Sequence, residues 1–487
     1  MWKEYIVMIG RKEEKKYLLS LTEEEEPQFV AVFGRRRIGK TYLIRETFKH
    51  EFTFQHTGVS NNQIEPGKRK EIQLEKFFES LREYGYNACD ELKTWNDAFN
   101  ALKEVIKSSE QEKKIIFIDE LSWMDTKDSG LISALESFWN GWATARAEKD
   151  IILIVCASAT YWMIQNIVNA KGGLHNRLTG QIFLKPFTLH ECEEYLQSRK
   201  IIFNRHQILQ CYMIMGGVPY YWSLLKKGKS LPQNIDDIFF KDGAFLLNEY
   251  ENLYSALFSK PDQYIRIVEA LSTVNKGITR DEICAITGIA SSGDLSKKLT
   301  ELENCGFIRK YVPFGYKQKN CMYQLMDNFT LFFYKFMRNK VQNENYWKEK
   351  SNSPEVRAWS GVAFERVCLE HIPQVKKALG ISGVYTEVNA WQCSKDDEKG
   401  IQSSQIDLLI VRKDQVINVC EMKYSETDYV VDAKFDRDQK RKISDLIKKT
   451  GTKYAIYSTL ITTYGVIENA YSGEIQSIIT AEDLFVD

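Results

Sequence analysis

The sequence predicts a multidomain α/β fold, and three observations support this prediction. At 487 residues, the chain is too long to fold around a single hydrophobic core. Continuous apolar runs at 29–33, 115–118 and 151–157 are typical of central strands in a parallel sheet that is covered on both faces. Near the carboxyl end, residues 406–412 and 416–424 form two predicted strands around a short polar turn.

Composition excludes several classes of protein. Lys and Arg together number 66, as do Asp and Glu, so the formal net charge is zero, whereas a protein that coats nucleic acid without specificity is usually basic. The ten cysteines are scattered without a CxxC pair, which argues against a disulfide scaffold or a structural zinc site. No apolar run approaches the roughly 20 residues of a membrane helix. We therefore expect a cytoplasmic protein with reduced thiols and no membrane partner.

The first motif follows the strand at 29–33. Residues 34–41, GRRRIGKT, match GxxxxGK[ST], in which backbone N–H groups wrap phosphates and glycines allow close approach. A helix is expected directly after the loop, because the positive end of its dipole favours an anion there. We expect ATP and Mg²⁺ as ligands, with Lys40 at the β- and γ-phosphates and Thr41 at the metal ion. The predicted nucleotide-binding residues of this segment are Gly34, Arg35, Arg36, Arg37, Ile38, Gly39, Lys40, Thr41 and Tyr42.

The second half of an ATPase site is expected where a buried strand ends in acidic residues. The run at 115–118 is followed by Asp119 and Glu120, and ligands of open α/β sheets bind at the carboxyl ends of the strands. We expect Asp119 to hold Mg²⁺ through water, and Glu120 to orient or deprotonate the attacking water. An acidic pair at a strand end is common by itself, but together with the phosphate loop it indicates ATP hydrolysis.

Two further positions have open alternatives. Ser158 or Thr160, at the end of the strand that begins at 151, could sense the γ-phosphate, or both could be ordinary hydroxyl groups at a strand end. Arg177 precedes another predicted strand. From there it could reach a nucleotide bound by a neighbouring subunit, or it could be a plain surface arginine.

Five segments occur in an order that resembles a known family. They are MIGRKEEKKYL (8–18), GRRRIGKT (34–41), IIFIDEL (115–121), NRLTGQIFLKPF (176–187) and GGVPYYW (216–222). Together they look like the archaeal-type ATPase family, a branch of the AAA+/STAND group of P-loop ATPases found in archaea and bacteria, and the resemblance covers roughly residues 4–250.

The resemblance implies several features that spacing alone does not. It implies that Gly10 and Arg11 lie near the adenine, and that the helices after Pro186 form a lid. The third strand of the family usually ends in CGS, and here Ala157 replaces that glycine before Ser158. A homo-oligomer is suggested by Arg177 and by analogy with the family.

After Tyr250 the pattern changes to three short amphipathic helices and a hairpin. The third helix has an apolar stripe with Ser291 or Ser292 as its N-cap and Gly306 as its end. This order suggests a winged helix, which the resembled family also has at this place. Basic residues that could contact DNA phosphates are Lys297, Lys298, Arg309, Lys310, Lys317 and Lys319. Acidic residues on the third helix leave protein packing as an equal alternative.

The predicted strands at 406–412 and 416–424 carry polar groups at one end. Because side chains alternate along a strand, Glu421 and Lys423 share a face. Pairing around the turn brings Asp407 opposite Glu421 to within one residue. Two carboxylates a few Å apart raise each other's proton affinity unless a cation lies between them. Mg²⁺, which prefers oxygen ligands, would meet this need.

This D…ExK arrangement resembles the PD-(D/E)XK nuclease superfamily, with Ile406 in place of the proline. A predicted helix at 360–372 precedes the hairpin, and a helix at 436–449 and a strand at 453–458 follow it, as in that superfamily. The lysine would orient or activate a metal-bound water. The resemblance implies a catalytic core of Asp407, Glu421 and Lys423, and metal ligands Glu365, Asp407 and Glu421.

We therefore predict four domains. They are a P-loop AAA+ ATPase core at 1–190, a helical lid at 191–255, a winged helix with connector at 256–345, and an α/β restriction-endonuclease-like domain at 346–487. The predicted function is ATP binding and hydrolysis coupled to action on DNA by a Mg²⁺-dependent nuclease-like domain. One alternative is a STAND-like signalling or regulatory switch whose C-terminal fold binds DNA or protein without cleavage. Another is a DNA-binding regulator that uses the winged helix.

Overall fold

The structure is a computed structural model that describes residues 8–60, 64–88, 91–258, 260–338, 343–396, 401 and 403–487. The chain divides into two compact units. The first comprises Met1–Lys185 and Ser255–Ser259, and the second comprises Pro186–Tyr254 and Lys260–Asp487. Residues 339–342 of the predicted connector lie outside the described residues.

The first unit is built on a parallel sheet. Its five described strands are β1 (Gln28–Phe33), β2 (Phe54–Thr57), β3 (Lys114–Asp119), β4 (Ile151–Ala157) and β5 (Gly180–Phe183). They pair in the order β2-β3-β4-β1-β5, and every pairing is parallel. β1, β3 and β4 are buried along their whole length, as their apolar sequences predict. This is an α/β fold of the P-loop NTPase type.

Helices cover both faces of this sheet. They are α1 (Lys12–Ser20), α2 (Lys40–Thr47), α3 (Arg69–Glu83), α4 (Trp95–Ser108), α5 (Leu121–Met124), α6 (Leu131–Phe138) and α7 (Thr160–Met163). Phe29, Ala31 and Phe33 of β1 belong to the core that includes α3, α4 and α6. Val30 and Val32 belong to a second core with α1 and α2. Successive side chains of β1 point to opposite faces, so both faces need apolar residues.

The second unit begins with the helices that the sequence predicts as a lid. They are α8 (Leu189–Ser198), α9 (Arg205–Met215), α10 (Pro219–Ser223), α11 (Leu231–Ile235) and α12 (Glu249–Leu257). Thr188 and Asn204 cap α8 and α9 by accepting a hydrogen bond from the backbone N–H three residues later. Up to Tyr254, this segment groups with the second unit and not with the first.

A module of three helices and a small sheet follows. It comprises α13 (Pro261–Ser272), β6 (Ile278–Thr279), α14 (Arg280–Thr287), α15 (Gly293–Asn304), β7 (Ile308–Tyr311) and β8 (Met322–Leu325). The three described strands pair antiparallel in the order β6-β8-β7. Ser292 is the N-cap of α15, and Gly306 has a φ of 75° just after its end.

Aromatic residues of the next segment form an internal core. The helices here are α16 (Asn328–Phe332), α17 (Tyr346–Lys350), α18 (Pro354–Glu370) and α19 (Ile372–Ala378). The ring of Phe332 contacts Phe239, Trp347 and Trp359 at centroid distances of 5.4, 5.0 and 5.6 Å. Phe332 is fully buried, so this cluster is a packing core and not a platform for bases.

A second mixed sheet completes this unit. Its elements are β9 (Thr386–Cys393), β10 (Ser404–Arg412), β11 (Val416–Lys423), β12 (Tyr429–Val430), α20 (Ala433–Thr450), β13 (Ala455–Thr462), β14 (Val466–Ile467) and β15 (Ser477–Thr480). The order is β15-β13-β11-β10-β9, and β12 pairs with β14. β9, β10 and β11 are antiparallel, whereas β11, β13 and β15 are parallel. Leu446 of α20 packs in the same core as Leu409, Ile417 and Val419.

Element limits differ from the sequence prediction by a few residues. The helix predicted at 436–449 is the longer α20, and the strand predicted at 453–458 is β13, which starts and ends later. The helix predicted at 360–372 begins earlier, because Pro354 and its cap Ser353 start α18. In the described part of the chain, no helix is long and apolar enough to cross a membrane.

Candidate functional site

The phosphate loop joins β1 to α2, and its backbone requires glycine. Gly34 has a φ of 147° and Gly39 a φ of 89°, a region that other residues rarely adopt. A Cβ atom on Gly34 would lie 2.4 Å from the carbonyl oxygen of Leu184. Within the loop, Arg35 and Ile38 are buried and Arg36 and Arg37 half-buried, whereas Tyr42 in α2 is exposed.

Lys40 is buried and held by neutral oxygens. Its Nζ donates to the carbonyl oxygens of Gly34 and Arg35 at 3.0 and 3.1 Å, and to Ser158 Oγ at 3.0 Å. These oxygens solvate the ammonium group without neutralising it. The charge of Lys40 is therefore available to a bound phosphate, so this residue fits the binding of ATP.

Thr41 and Asp119 meet beside Lys40. Thr41 Oγ1 donates to Asp119 Oδ2 at 2.6 Å. Burial and then the charge of Glu120 raise the pKa of Asp119, while the hydrogen bond from Thr41 and the charge of Lys40 oppose the rise. A buried carboxylate beside a hydroxyl group offers the hard oxygen ligands that Mg²⁺ prefers. Both residues fit the predicted metal ion.

Glu120 bonds to the residue that follows β4. Its carboxylate accepts from the backbone N–H of Ser158 at 3.1 Å and from the Ser158 hydroxyl. Since Ser158 Oγ also accepts from Lys40, it joins the loop lysine to Glu120. Of the two hydroxyl residues considered as sensors, Ser158 is the one that contacts Lys40.

Gly10 and Arg11 precede α1 in the left-handed conformation, with φ values of 65° and 56°. Arg11 is buried, and its guanidinium donates to the carbonyl oxygens of Lys185 at 2.6 Å and Ile38 at 3.5 Å. Arg11 thereby connects the phosphate loop to the segment after β5. Its proximity to adenine stays a prediction.

Arg177 is exposed and does not reach the phosphate loop of its own chain. Thr179, two residues later, donates its backbone N–H to the carbonyl oxygen of Phe29 at 2.9 Å. Phe29 lies near the start of β1, whereas the loop follows Phe33 at the other end. A role of Arg177 at a neighbouring subunit stays a prediction.

The C-terminal acids lie on neighbouring strands. Leu408 pairs with Cys420 across β10 and β11, and one further step in this register sets Asp407 beside Glu421. The pairing of β10 with β9 shifts between Ile406 and Leu409, which places a bulge around Asp407. Asp407 Oδ1 accepts a hydrogen bond from Gln405 Nε2 at 2.5 Å.

Glu365 of α18 belongs to the same cluster. Burial and then the charge of Asp407 raise the pKa of Glu365 to about 7. Glu421 contributes in the same direction, and Lys423 opposes it. The structure thus brings together the four residues that the sequence singles out in this domain.

Two lysines bond to Glu421, one of which the sequence did not indicate. Lys423 Nζ lies 2.7 Å from Glu421 Oε1, and Lys442 Nζ of α20 lies 2.8 Å from Oε2. Burial alone would raise the pKa of Glu421, but the two lysines outweigh it and hold the pKa below its usual value. A right-handed crossover from β11 to β13 fixes the sheet face that α20 covers. The handedness rule could therefore have indicated from the sequence that the helix carrying Lys442 lies over the sheet face of Glu421.

The predicted ligand set of three carboxylates is not formed. Across the described ranges of the chain, no group of three or more His, Cys, Asp or Glu side chains is arranged to hold a metal ion. Glu365, Asp407 and Glu421 therefore do not act as one ligand set in this arrangement. Ammonium groups of Lys423 and Lys442 bond to the two oxygens of Glu421, and their charges oppose a metal ion there. Since Mg²⁺ is often held by one or two carboxylates and water, Asp407 and Glu421 still offer suitable ligands.

Two arginines also approach these acids. Arg366 is buried, lies 3.7 Å from Glu365 Oε2 and donates to the carbonyl oxygen of Leu325 at 3.0 Å. Arg309 of β7 donates to Gln324 at 2.7 Å. Burial lowers the pKa of Arg309 to about 10, while the charges of Tyr311, Asp407 and Glu365 oppose the fall. Arg309, one of the basic residues that could contact DNA phosphates, is therefore close enough to the acid cluster to feel its charge.

Lys298 was also predicted as a DNA contact, and this prediction is wrong. Its side chain is buried, pairs with Asp294 on the same helix and lies over the ring of Tyr264. Position 298 faces the interior beside Leu295 and Leu302.

Comparison with known proteins supports the first site. Residues 8–225 match the family model described as "ATPase domain predominantly from Archaea". The chain carries a P-loop ATPase domain. The match supports ATP binding and hydrolysis, but it covers less than half of the chain and does not reach the three-helix module or the C-terminal sheet.

More distant likenesses extend over more of the chain. An uncharacterized protein of Methanocaldococcus jannaschii is 24% identical over 451 residues, which are 91% of this chain and 92% of that protein. The Walker-type ATPase of Pyrococcus abyssi has a TM-score of 0.46 at 16% identity, over 66% of this chain and 95% of that one. The ORC2 protein of Aeropyrum pernix has a TM-score of 0.42 at 12% identity, over 76% and 98%. At such scores, neither structure extends the assignment.

Proposed function

We propose that this protein hydrolyses ATP and acts on DNA, and that its C-terminal domain carries a Mg²⁺-dependent nuclease-like site. The observation that carries the proposal is the meeting of Asp407, Glu421 and Lys423 in a chain that also has an ATPase domain. The proposal includes a helical lid at 191–255, a winged helix within 256–345 and a nuclease-like domain at 346–487, in a cytoplasmic protein.

At the ATP site, each residue has a defined part. Lys40 would exchange its neutral oxygen partners for the β- and γ-phosphates. Thr41 and Asp119 would hold Mg²⁺, which neutralises charge on the phosphates when bound. Glu120 would orient the attacking water after separating from Ser158. Arg177 contributes from a neighbouring subunit in a homo-oligomer.

The three-helix module supports contact with DNA. Its order of helix, strand, two helices and two strands is that of a winged helix. Exposed lysines of this module, the residue type that contacts phosphates, are Lys297, Lys310, Lys317 and Lys319. The loop between β7 and β8 also touches β9, where the backbone N–H of Phe314 donates to the carbonyl oxygen of Ala390 at 2.9 Å. DNA bound by this loop would therefore lie close to the C-terminal sheet.

At the C-terminal site, the chain supplies carboxylates for a metal ion and a neighbouring lysine. Asp407 and Glu421 would hold Mg²⁺, which lowers the pKa of bound water and neutralises charge at a phosphate. Lys423 lies beside Glu421 with a side chain that is 36% exposed, so it can reach a bound phosphate or water. Glu365 lies at the side of the pair as a further acid.

An alternative function has its own supporting observation. Because two ammonium groups neutralise Glu421, the site is also consistent with a domain that binds DNA or protein without cleavage. ATP turnover would then control assembly, as in a STAND-like signalling or regulatory switch.

A nicking assay tests the proposal. Full-length protein is incubated with supercoiled plasmid and Mg²⁺ or Mn²⁺, with and without ATP. We expect nicking that Glu421→Ala and the isosteric Glu421→Gln abolish, while ATP hydrolysis persists. Glu387→Ala is a matched control, because Glu387 is an exposed acid on β9. A wild-type protein that cuts under none of these conditions would contradict the nuclease and favour the alternative.

A further inference from the structure

Lys442 is a second lysine at the C-terminal site. It lies in the middle of α20, and its Nζ is 2.8 Å from Glu421 Oε2, on the oxygen that Lys423 leaves free. The side chain of Glu421 is 11% exposed and that of Lys442 is 19% exposed, so the pair is largely shielded from water. Such shielding makes the ion pair stronger than one on an open surface.

Lys442 and a divalent metal ion compete for the same oxygen. An ammonium group hydrogen-bonded to a carboxylate oxygen weakens the binding of Mg²⁺ to that oxygen, because the two cations repel at that distance. Without Glu421 Oε2, the ligands left to a metal are Asp407 and a Glu421 oxygen already bonded to Lys423. Lys442 therefore lowers the metal affinity of the site in the absence of another anion.

An anion that draws Lys442 away would relieve this competition. Lysine has a flexible stem with a compact charge and binds phosphate readily. Lys434 and Arg437, at the start of the same helix, are exposed. Helix α20 therefore presents further positive charge to a polyanion near Lys442.

We propose that Lys442 is a substrate-responsive positioning residue: it holds Glu421 in the free protein and moves to a nucleic-acid phosphate when substrate binds, which frees Glu421 for the metal. This inference rests on the proposed function and deepens it. Metal binding and DNA binding at this site are then coupled, and by thermodynamic linkage the coupling is equal in both directions.

The first test measures Mn²⁺ binding to full-length protein by calorimetry, without nucleotide or DNA, and with Glu421→Ala as the blank. We expect Lys442→Met to bind Mn²⁺ about tenfold more tightly than wild type, because no charged hydrogen bond has to be broken. Lys442→Arg keeps the ion pair and should resemble wild type. Lys440→Met is the matched control, since Lys440 lies on the same helix but pairs with Asp436 and Glu474.

The second test measures binding of a short DNA duplex in EDTA as a function of salt concentration. We expect Lys442→Met to weaken binding and to lower the slope of log affinity against log salt by about 1, as for the loss of one phosphate contact. Lys442→Arg should restore the slope. A purely structural lysine would change neither this slope nor the Mn²⁺ affinity in the expected direction.

Several results would overturn the inference. They are Mn²⁺ binding in Lys442→Met that is equal to or weaker than wild type, an unchanged salt slope, or Mn²⁺ binding that Glu421→Ala does not alter. If Lys442→Met does not fold, Lys442→Gln replaces it. Neither measurement requires cleavage, so a protein that fails to nick plasmid contradicts the proposed nuclease while the role of Lys442 is still decided.

Discussion

The phosphate loop and the C-terminal acid cluster are both built around a lysine, but they compensate its charge in opposite ways. Lys40 is held by two carbonyl oxygens and one hydroxyl group. Lys423 and Lys442 share the single carboxylate of Glu421. The first lysine keeps its charge for an incoming anion, whereas the other two are neutralised within the chain.

This difference indicates how each site responds to its ligand. A solvated but unneutralised cation is prepared for a polyphosphate and changes little on binding it. A neutralised cluster must first break an ion pair, so it binds metal or phosphate weakly until something displaces a lysine. We therefore expect the phosphate loop to bind its ligand with little rearrangement. At the C-terminal site, we expect a lysine to leave Glu421 when ligand binds.

The largest expected effect is on ATP turnover, when Lys40 of the phosphate loop is removed. Lys40→Ala should lower ATP turnover on the order of 10²–10³-fold, because a positioned charge that stabilises the transferring phosphoryl group is lost. Steady-state phosphate release measures it. Lys107→Ala, which removes an exposed lysine paired with Glu104, is the control and should turn over ATP normally. Normal turnover in Lys40→Ala would refute the assignment of the ATPase site.

The second prediction compares how much stability the protein loses when a charged residue is removed from each site. Glu421→Ala should lower the free energy of unfolding of the second unit by about 3 kcal/mol, because the largely shielded Lys442 and the partly exposed Lys423 then lose their acid. Lys40→Ala should cost less, because no acid loses an ion-pair partner. Urea denaturation followed by tryptophan fluorescence gives both values. Equal losses would mean that the charges at the two sites are compensated alike.

The third prediction concerns the pH dependence of stability that His371 contributes to the second unit. His371 is buried, its Nδ1 donates to the carbonyl oxygen of Val367, and its Nε2 accepts the backbone N–H of Leu189 at 3.0 Å. Burial lowers the pKa of His371 to about 4. The unfolded chain therefore binds the proton first as pH falls below the ordinary value of 6.5. The contribution of His371 to stability should be constant above about pH 6.5 and fall by about 2 kcal/mol at pH 5. Glu365 in the same unit, whose pKa is raised, contributes in the opposite direction over this range.

The control for this effect is His371→Gln, measured by urea denaturation across the same pH range. Its stability should be lower at neutral pH, and it should lack the fall of about 2 kcal/mol that His371 contributes between pH 6.5 and 5. The same slope in wild type and variant would show that His371 does not carry the pH dependence.

The smallest expected effect concerns exposed charge. Lys440→Met should leave the denaturation midpoint unchanged, because the Lys440 side chain is 54% exposed and its ion pairs are open to water on that side. Lys442→Met should lower the midpoint measurably, because the Lys442 side chain is only 19% exposed. If both variants behave alike, burial does not distinguish the two lysines.

Sequence reasoning reached the first site well because backbone geometry determines it. The spacing of Gly34, Gly39 and Lys40 already requires a strand, a tight turn and a helix. At the second site, the two-residue period of strands was enough to bring Asp407 and Glu421 together. It could not supply Lys442, Arg309 or Arg366, because these come from other elements whose faces depend on tertiary packing.

The same limit explains the expectations that the structure corrects. The metal ion expected between Asp407 and Glu421 stays a prediction, and the sequence could not show that Lys442 lies on the carboxylate of Glu421. Lys298 looked like a surface lysine among charged residues, yet it lies on the buried side of α15. Grouping the helices after Pro186 with the second unit likewise depends on long-range packing that spacing does not encode.

The most direct test of the C-terminal site is a crystal structure of the full chain with Mn²⁺ and a short DNA, with Mn²⁺ located by its anomalous scattering. We expect one Mn²⁺ between Asp407 and Glu421, and the ammonium group of Lys442 on a DNA phosphate instead of Glu421. Crystals with bound DNA but no Mn²⁺ at these acids, and with Lys423 and Lys442 still bonded to Glu421, would contradict both the nuclease-like site and the exchange of partners.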